Sequence, residues 1–249
     1  MIDTHCHITL ADYDDISLLI DKIKKSGISK IIVNGCDMKS NIEVLYLVKK
    51  YDIVYGAIGF HPTELGMFDD CQFSWLEEHI NDEKIVALGE IGLDYHYENT
   101  DKLKEKYVFR KQLEIAKRHN KPVIIHSRDA GYDILSILKE YDLKGSLHCY
   151  SGSLEMAKEY IKLGYFLGIG GVVTYKNAKN IVDVIENVDL EHILLETDSP
   201  YLTPEPYRGV KNDSSNVYLV AKKIAEIKNV DVEVVEKITS NNANRLFDF

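Results

Sequence analysis

One apolar run after another in this chain ends in a potential metal ligand, and that repetition restricts the fold more than any other feature. The chain opens Met1-Ile2-Asp3-Thr4-His5-Cys6-His7, and Glu90 follows Ile85-Val86-Ala87-Leu88-Gly89. His126 follows Pro122-Val123-Ile124-Ile125, His148 follows Gly145-Ser146-Leu147, and Asp198 follows Ile193-Leu194-Leu195-Glu196-Thr197. Short continuous apolar runs are the pattern of strands buried on both faces of a parallel sheet. Four histidines and two carboxylates at the ends of such runs require a fold that brings many strand ends together.

The predicted strands are Met1–His5, Ile31–Asn34, Val54–Gly59, Ile85–Glu90, Val123–His126, Ser146–His148, Tyr165–Ile169 and Ile193–Glu196. Amphipathic helical patterns alternate with them: Asp15–Ser26, Lys39–Tyr51, Ser74–Asn81, Lys102–His119, Gly131–Tyr141, Ser153–Leu163 and Asn177–Asn187. Two more, Asn216–Ile227 and Val232–Leu246, end the chain. Eight strands alternating with helices over 249 residues predict an α/β TIM (β/α)8 barrel, with an open doubly wound sheet as the alternative. The ligand distribution favours the barrel. In an open sheet, ligands on the first, fourth, fifth, sixth and eighth strands are spread along an edge, whereas a closed barrel gathers them at one mouth. With no internal repeat or linker, residues 1–249 read as a single domain.

His5 and His7 are one residue apart, so on a strand they share a face. Six ligands exceed the three that one catalytic zinc usually takes from protein. Two divalent metal ions sharing a bridging carboxylate suit the count better. Mg, Mn and Zn all remain candidates. His79, His96, His119 and His192 have no such context and read as structural or exposed.

These residues fall in segments that closely resemble the TatD-type metal-dependent deoxyribonucleases, within the amidohydrolase-like barrels. The resemblance covers essentially the whole chain. It rests on Asp3-Thr4-His5-Cys6-His7, Gly59-Phe60-His61-Pro62, Gly89-Glu90-Ile91-Gly92-Leu93-Asp94-Tyr95 and His126-Ser127-Arg128. It continues in His148-Cys149-Tyr150-Ser151-Gly152 and Glu196-Thr197-Asp198-Ser199-Pro200-Tyr201-Leu202. The resemblance implies one metal held by His5, His7, Glu90 and Asp198 and another by Glu90, His126 and His148, with Glu90 bridging. It also implies that His61 lines the same mouth; the other reading of His61 is a turn residue fixed by Pro62.

Arg128 follows the fifth strand, where it can meet a substrate phosphate or pair with Asp129 or Asp133. Arg208 and Asn212 lie in the loop after the eighth strand, a position that often binds phosphate in such barrels. Here the chain departs from the family. The usual Arg-Gly-Lys-Arg-Asn-Glu-Pro is replaced by Arg208-Gly209-Val210-Lys211-Asn212-Asp213-Ser214, which loses one basic charge and the proline. Phe60, Tyr95, Tyr150 and Tyr201 are candidates to stack on unpaired bases. Glu196 reads either as a support for the ligands or as half of a buried ion pair.

The expected activity is metal-assisted hydrolysis of DNA, as a 3′–5′ exonuclease on single strands. Asp198 would accept the proton of the attacking water, and Glu90 and Arg128 would complete the catalytic set. The alternative is an ester or amide hydrolase such as an aminoacyl-tRNA deacylase. A non-enzymatic metal-binding scaffold is disfavoured by the presence of all six ligands. The net charge of −10 argues against a protein that coats nucleic acid passively, but not against a nuclease whose cations offset the field. No run is long enough to span a bilayer, no signal peptide is visible, and no protein partner is implied. Four scattered cysteines, with Cys6 and Cys149 expected to be buried and apolar, suit a reduced cytoplasmic setting.

Overall fold

The computed structural model describes residues 1–249. Eight strands form one sheet in sequential order: β1 (Ile2–Cys6), β2 (Lys30–Asn34), β3 (Val54–Ile58), β4 (Ile85–Asp94), β5 (Val123–Arg128), β6 (Gly145–Leu147), β7 (Tyr165–Ile169) and β8 (Ile193–Leu195). Each neighbouring pair is parallel. The ring closes where the chain leaving β8 meets β1. The Asp198 N–H donates to the His5 carbonyl at 2.9 Å, and the His7 N–H donates to the Ser199 carbonyl at 2.7 Å. Cys6 and Ser199 form a parallel bridge beside them. This is the predicted TIM barrel.

The helices are α1 (Ile16–Lys25), α2 (Met38–Lys50), α3 (Cys71–His79), α4 (Lys102–Arg118), α5 (Gly131–Leu138), α6 (Leu154–Lys162), α7 (Lys179–Asn187), α8 (Val217–Lys228) and α9 (Val232–Phe247). Side-chain caps explain several starts. Asp15, Asp37, Asp101 and Ser153 each accept a hydrogen bond from the backbone N–H three residues on. The apolar face of α1 (Ile16, Leu19, Ile20, Ile23) is buried, as its spacing predicts. At the other end of the barrel, Leu246 and Phe247 of α9 cluster with Ile2, Ile32, Ile124 and Leu194. No helix is long and apolar enough to cross a membrane.

The structure departs from the predicted boundaries where backbone geometry overrides pattern. α3 begins at Cys71 rather than Ser74, and a short 3-10 helix, Pro62–Met67, follows β3. β4 runs four residues beyond its predicted end at Glu90, because a register shift between Leu88 and Ile91 lets it keep pairing with β5. Gly92 has φ of 151°, and a Cβ there would run into the His126 carbonyl. Only glycine suits a backbone so close to its neighbour.

Two buried amides fix the exit of β3. Asn41 of α2 donates to the Gly59 carbonyl at 2.8 Å and accepts from its N–H at 3.0 Å. Gln112 of α4 donates to the Phe60 carbonyl at 3.1 Å and accepts from its N–H at 2.8 Å. Together they satisfy all four polar groups of the two residues that precede His61. Gln112→Leu keeps the volume but strips two buried partners. It should lower unfolding stability by about 1–3 kcal/mol in urea titration, and an unchanged midpoint would show that the clamp contributes nothing.

Candidate metal centre

Strand ends deliver six polar side chains to the C-terminal mouth of the barrel, five of them grouped around the carboxylate of the sixth, Glu90. Glu90 is 3% exposed, and its two oxygens face different partners. Oε2 lies 3.3 Å from His5 Nε2 and 3.5 Å from His7 Nε2. Oε1 lies 2.7 Å from His148 Nε2 and 2.9 Å from His126 Nδ1. Asp198 Oδ1 completes the first group, 3.5 Å from His5 Nε2 and 3.4 Å from His7 Nε2. Asp198 sits just past β8 at φ of 53°, held by the bond to the His5 carbonyl.

The outward nitrogens of these imidazoles show where their protons sit. His7 Nδ1 is 3.0 Å from the Asn34 carbonyl, which can only accept, so the Nε2 lone pair points inward. His126 Nε2 is 3.0 Å from Asp94 Oδ2, so Nδ1, which faces Glu90, is the nitrogen free to hold a cation once the ring is neutral. His148 turns Nδ1 toward Glu196 Oε1 at 3.9 Å. Yet His5 Nε2 and His7 Nε2 are 3.1 Å apart, and His126 Nδ1 and His148 Nε2 are 3.2 Å apart. Ring nitrogens at that range must have either a proton or a cation between them. Tetrahedral bonds of about 2.1 Å give ligand–ligand edges of roughly 3.4 Å, close to the 2.7–3.5 Å found here. The donor set therefore fits divalent cations, and His5, His7, Glu90, His126, His148 and Asp198 all belong to candidate metal-holding groups.

Without a cation, protons gather in its place: burial opposes a charge on His7, but Cys36, Asp198 and Glu90 raise its pKa well above the usual value. Burial opposes a charge on His126, but the bonds to Asp94 and Glu90 carry its pKa up to about 9. Burial and neighbouring His148 lower His5 to about 4. Burial also works against an ionised Glu90, but the surrounding His148, His61 and His5 hold its carboxyl well below the usual range. At Glu196 burial outweighs the support of His148 and the Cys149 N–H and pushes its pKa up to about 8. It accepts the Cys149 N–H beneath the cluster.

His61 behaves differently from the other imidazoles. Its Nδ1 accepts the Thr63 N–H at 3.2 Å, so the proton is on Nε2, 3.3 Å from Glu90 Oε1. Although proximity groups it with Glu90 and His126 as a possible ligand, this tautomer makes it a donor to the carboxylate. Burial keeps it neutral by lowering its pKa.

Arg128 and Tyr201 line the same cavity of about 660 Å³, and Arg128 has no carboxylate partner. The alternative pairing for Arg128 is absent: Asp129 faces His96 at 3.4 Å and Asp133 pairs with Lys106 at 2.7 Å. Three expected substrate contacts lie elsewhere. Asn212 is buried, and its amide donates to the carbonyls of Thr197 at 3.0 Å and Tyr201 at 2.7 Å. It braces the loop that carries Asp198 and offers nothing to a ligand. The Arg208 guanidinium stacks over Tyr175 at 4.3 Å, outside the residues that line the cavity. Tyr150 lines a neighbouring cavity instead, its hydroxyl donating to the Ser153 carbonyl at 2.7 Å. Of the other aromatics, Phe60 packs in the core against Phe68, and the Tyr95 hydroxyl donates to Asp133. Cys6 is buried as expected, whereas Cys149 lies past β6 at φ of 44° and is only half-buried.

The structure adds residues that the pattern of apolar runs did not single out. Asp94 orients His126, and the alternation Glu90, Gly92, Asp94 along β4 was the available signal. Asp3, fully buried, accepts from the Thr197 N–H at 3.0 Å and the Thr197 hydroxyl at 2.7 Å, and burial lifts its pKa to about 7. Cys36 places its sulfur 3.8 Å from Glu90 Oε2. Tyr97 lines the cavity beside Arg128.

The family model described as TatD related DNase matches residues 2–248. The metal-dependent hydrolase YabD of Bacillus subtilis is 41% identical, over 99% of this chain and 98% of its own. The metal-dependent hydrolase TatD of Mycobacterium tuberculosis is 30% identical, over 99% of this chain and 97% of its own. The crystal structure of YjjV, a TatD homologue from Escherichia coli K12, superposes with a TM-score of 0.94 at 31% identity, covering 100% of this chain and 98% of that one. An organophosphorus hydrolase from Deinococcus radiodurans, with a TM-score of 0.64 at 14% identity, shares the barrel alone. The chain belongs to the TatD family of metal-dependent hydrolases.

Proposed function

We propose that the chain, acting as one domain, is a cytoplasmic deoxyribonuclease that holds two divalent cations and trims single-stranded DNA from its 3′ end. One observation carries the reading: the two oxygens of Glu90 face two separate sets of imidazole nitrogens, as a bridging carboxylate does. The first cation would take His5, His7, Glu90 and Asp198, and the second Glu90, His126 and His148, with Mg, Mn or Zn all compatible with imidazole and carboxylate donors. When bound, such cations lower the pKa of water and neutralise phosphate charge.

The chain's own residues supply the remainder. Burial works against ionisation of Asp198, but the His7 bond and the neighbouring imidazoles hold its carboxyl below the usual value, so it stays ready to accept a proton from the attacking water. Arg128, unpaired at the cavity wall, suits a nonbridging phosphate oxygen. Exposed Tyr97 and Tyr201 at the same wall suit unpaired bases. The family's description as DNase-related supports a nucleic acid substrate, and the sequence resemblance supplies the polarity.

A 5′-labelled single-stranded oligonucleotide should give a ladder shortening from its 3′ end with Mg or Mn, and none after chelation or with His126→Ala. Intact oligonucleotide with correctly loaded protein would sink the nuclease reading and turn the search to carbonyl esters such as aminoacyl-tRNA. Asp94→Asn removes the charge behind His126 without changing its shape. Metal affinity should fall about tenfold or more by calorimetry, and an unaltered affinity would dismiss the role of Asp94. His126, with its raised pKa, is protonated at pH 7.5 and must be neutral to ligate. Metal uptake at that pH should therefore release at least one proton, read as a dependence of binding enthalpy on the buffer's ionisation heat. No such dependence would contradict ligation by His126.

A further inference from the structure

A second cavity, of about 340 Å³, adjoins the metal-centre cavity, and His148 lines both. It opens between the chain that follows β5 and the chain that follows β6. Its composition differs from that of its neighbour. No lysine or arginine lines it, and one carboxylate, Asp129, does. A phosphate has nothing to meet there. The walls are instead aromatic: Tyr150 and Tyr160, 8% and 2% exposed, form a buried floor whose hydroxyls are already used, donating to the Ser153 carbonyl at 2.7 Å and the Gly131 carbonyl at 2.9 Å. Their rings are set edge to face with centroids 6.3 Å apart. Tyr132, in the first turn of α5, lines the same space while 84% exposed. A large aromatic ring that far in solvent beside a ready pocket has apolar area to lose to a planar ligand.

The geometry points to this cavity as the seat of the nucleobase next to the scissile phosphate, with Tyr132 as the residue that closes over it. The inference rests on the nuclease reading above and specifies the substrate side of that same site. Three features agree. The cavity is at the small end of ligand pockets, which run from about 300 to 1,000 Å³, so it takes one nucleoside rather than a length of chain. It touches the metal centre at His148, which lines both cavities. Its stacking surfaces without cations suit the uncharged end of a nucleotide, while Arg128 and the metal ligands suit the phosphate. Stacking on aromatic side chains is indifferent to base identity, so the pocket would recognise the presence of a base rather than its sequence.

The test is equilibrium binding of deoxyadenosine 5′-monophosphate and of deoxyribose 5-phosphate, which lacks the base, to Mg- or Mn-loaded protein by calorimetry. The base should tighten binding about 5- to 100-fold. Tyr132→Ala removes the platform, and Ser151→Trp fills the cavity from an exposed position. Each should bring the nucleotide down to the affinity of the sugar phosphate and leave the sugar phosphate unchanged. Near-ultraviolet dichroism on both variants identifies any that misfolds, and the other then carries the comparison. A wild type that binds both compounds alike, or shows no measurable nucleotide binding, overturns the inference. So does a preference that survives both substitutions. Because nothing is cleaved in this assay, failure of the nuclease reading shows up separately in the oligonucleotide digestion.

Discussion

The seam that joins the exit of the last strand to the first strand holds the architecture and the chemistry together. The His5 carbonyl accepts from Asp198, and the Ser199 carbonyl accepts from His7. These bonds close the ring of strands, and the residues that make them carry three of the six candidate ligands. Asp3 strengthens the same seam from below, its carboxylate gripping Thr197. A barrel of parallel strands has no free edge once closed. Here the closure also fixes, through the backbone, the side chains that must converge from opposite ends of the sequence.

Around this seam the fold spends buried polar groups on loops rather than on strands. Asn41 and Gln112 hold the approach to His61, and Asn212 with its amide bonds holds the loop bearing Asp198. Each amide stands in for a sheet ladder where the chain has left the sheet, since a buried carbonyl without a partner is costly. The centre itself has the opposite character, with ring nitrogens aimed at ring nitrogens. Rigid surroundings are what keep so unfavourable an arrangement in place.

Much of this was legible in the sequence, for a physical reason. A buried parallel strand is an apolar run, and a polar residue at its end has one direction to face, toward the mouth. His5, Glu90, His126, His148 and Asp198 were readable on that basis. Loop residues carry no such rule. Asn212 and Arg208 occupy a loop whose course depends on which carbonyls need partners and which rings need covering, and neither need is visible in a local pattern. Asp94 was hidden by a boundary: with β4 ended at Glu90, the alternation that places it behind His126 had no strand to run along. Cys36 follows a strand too, but a sulfhydryl two residues past the strand end gave no sign that it would lie beside Glu90.

The rings of His5 and His148 stack face to face, with centroids 3.9 Å apart and planes within 15°. They belong to different sides of the Glu90 carboxylate, and each limits the tilt of the other. The two sides of the centre are therefore not independent compartments. An imidazole turned to suit an ion on one side would reorient the donor on the other, and Glu90 repeats the link through its own two oxygens. Were this mouth to hold the two proposed cations, the affinity of either side would for that reason depend on whether its neighbour is filled.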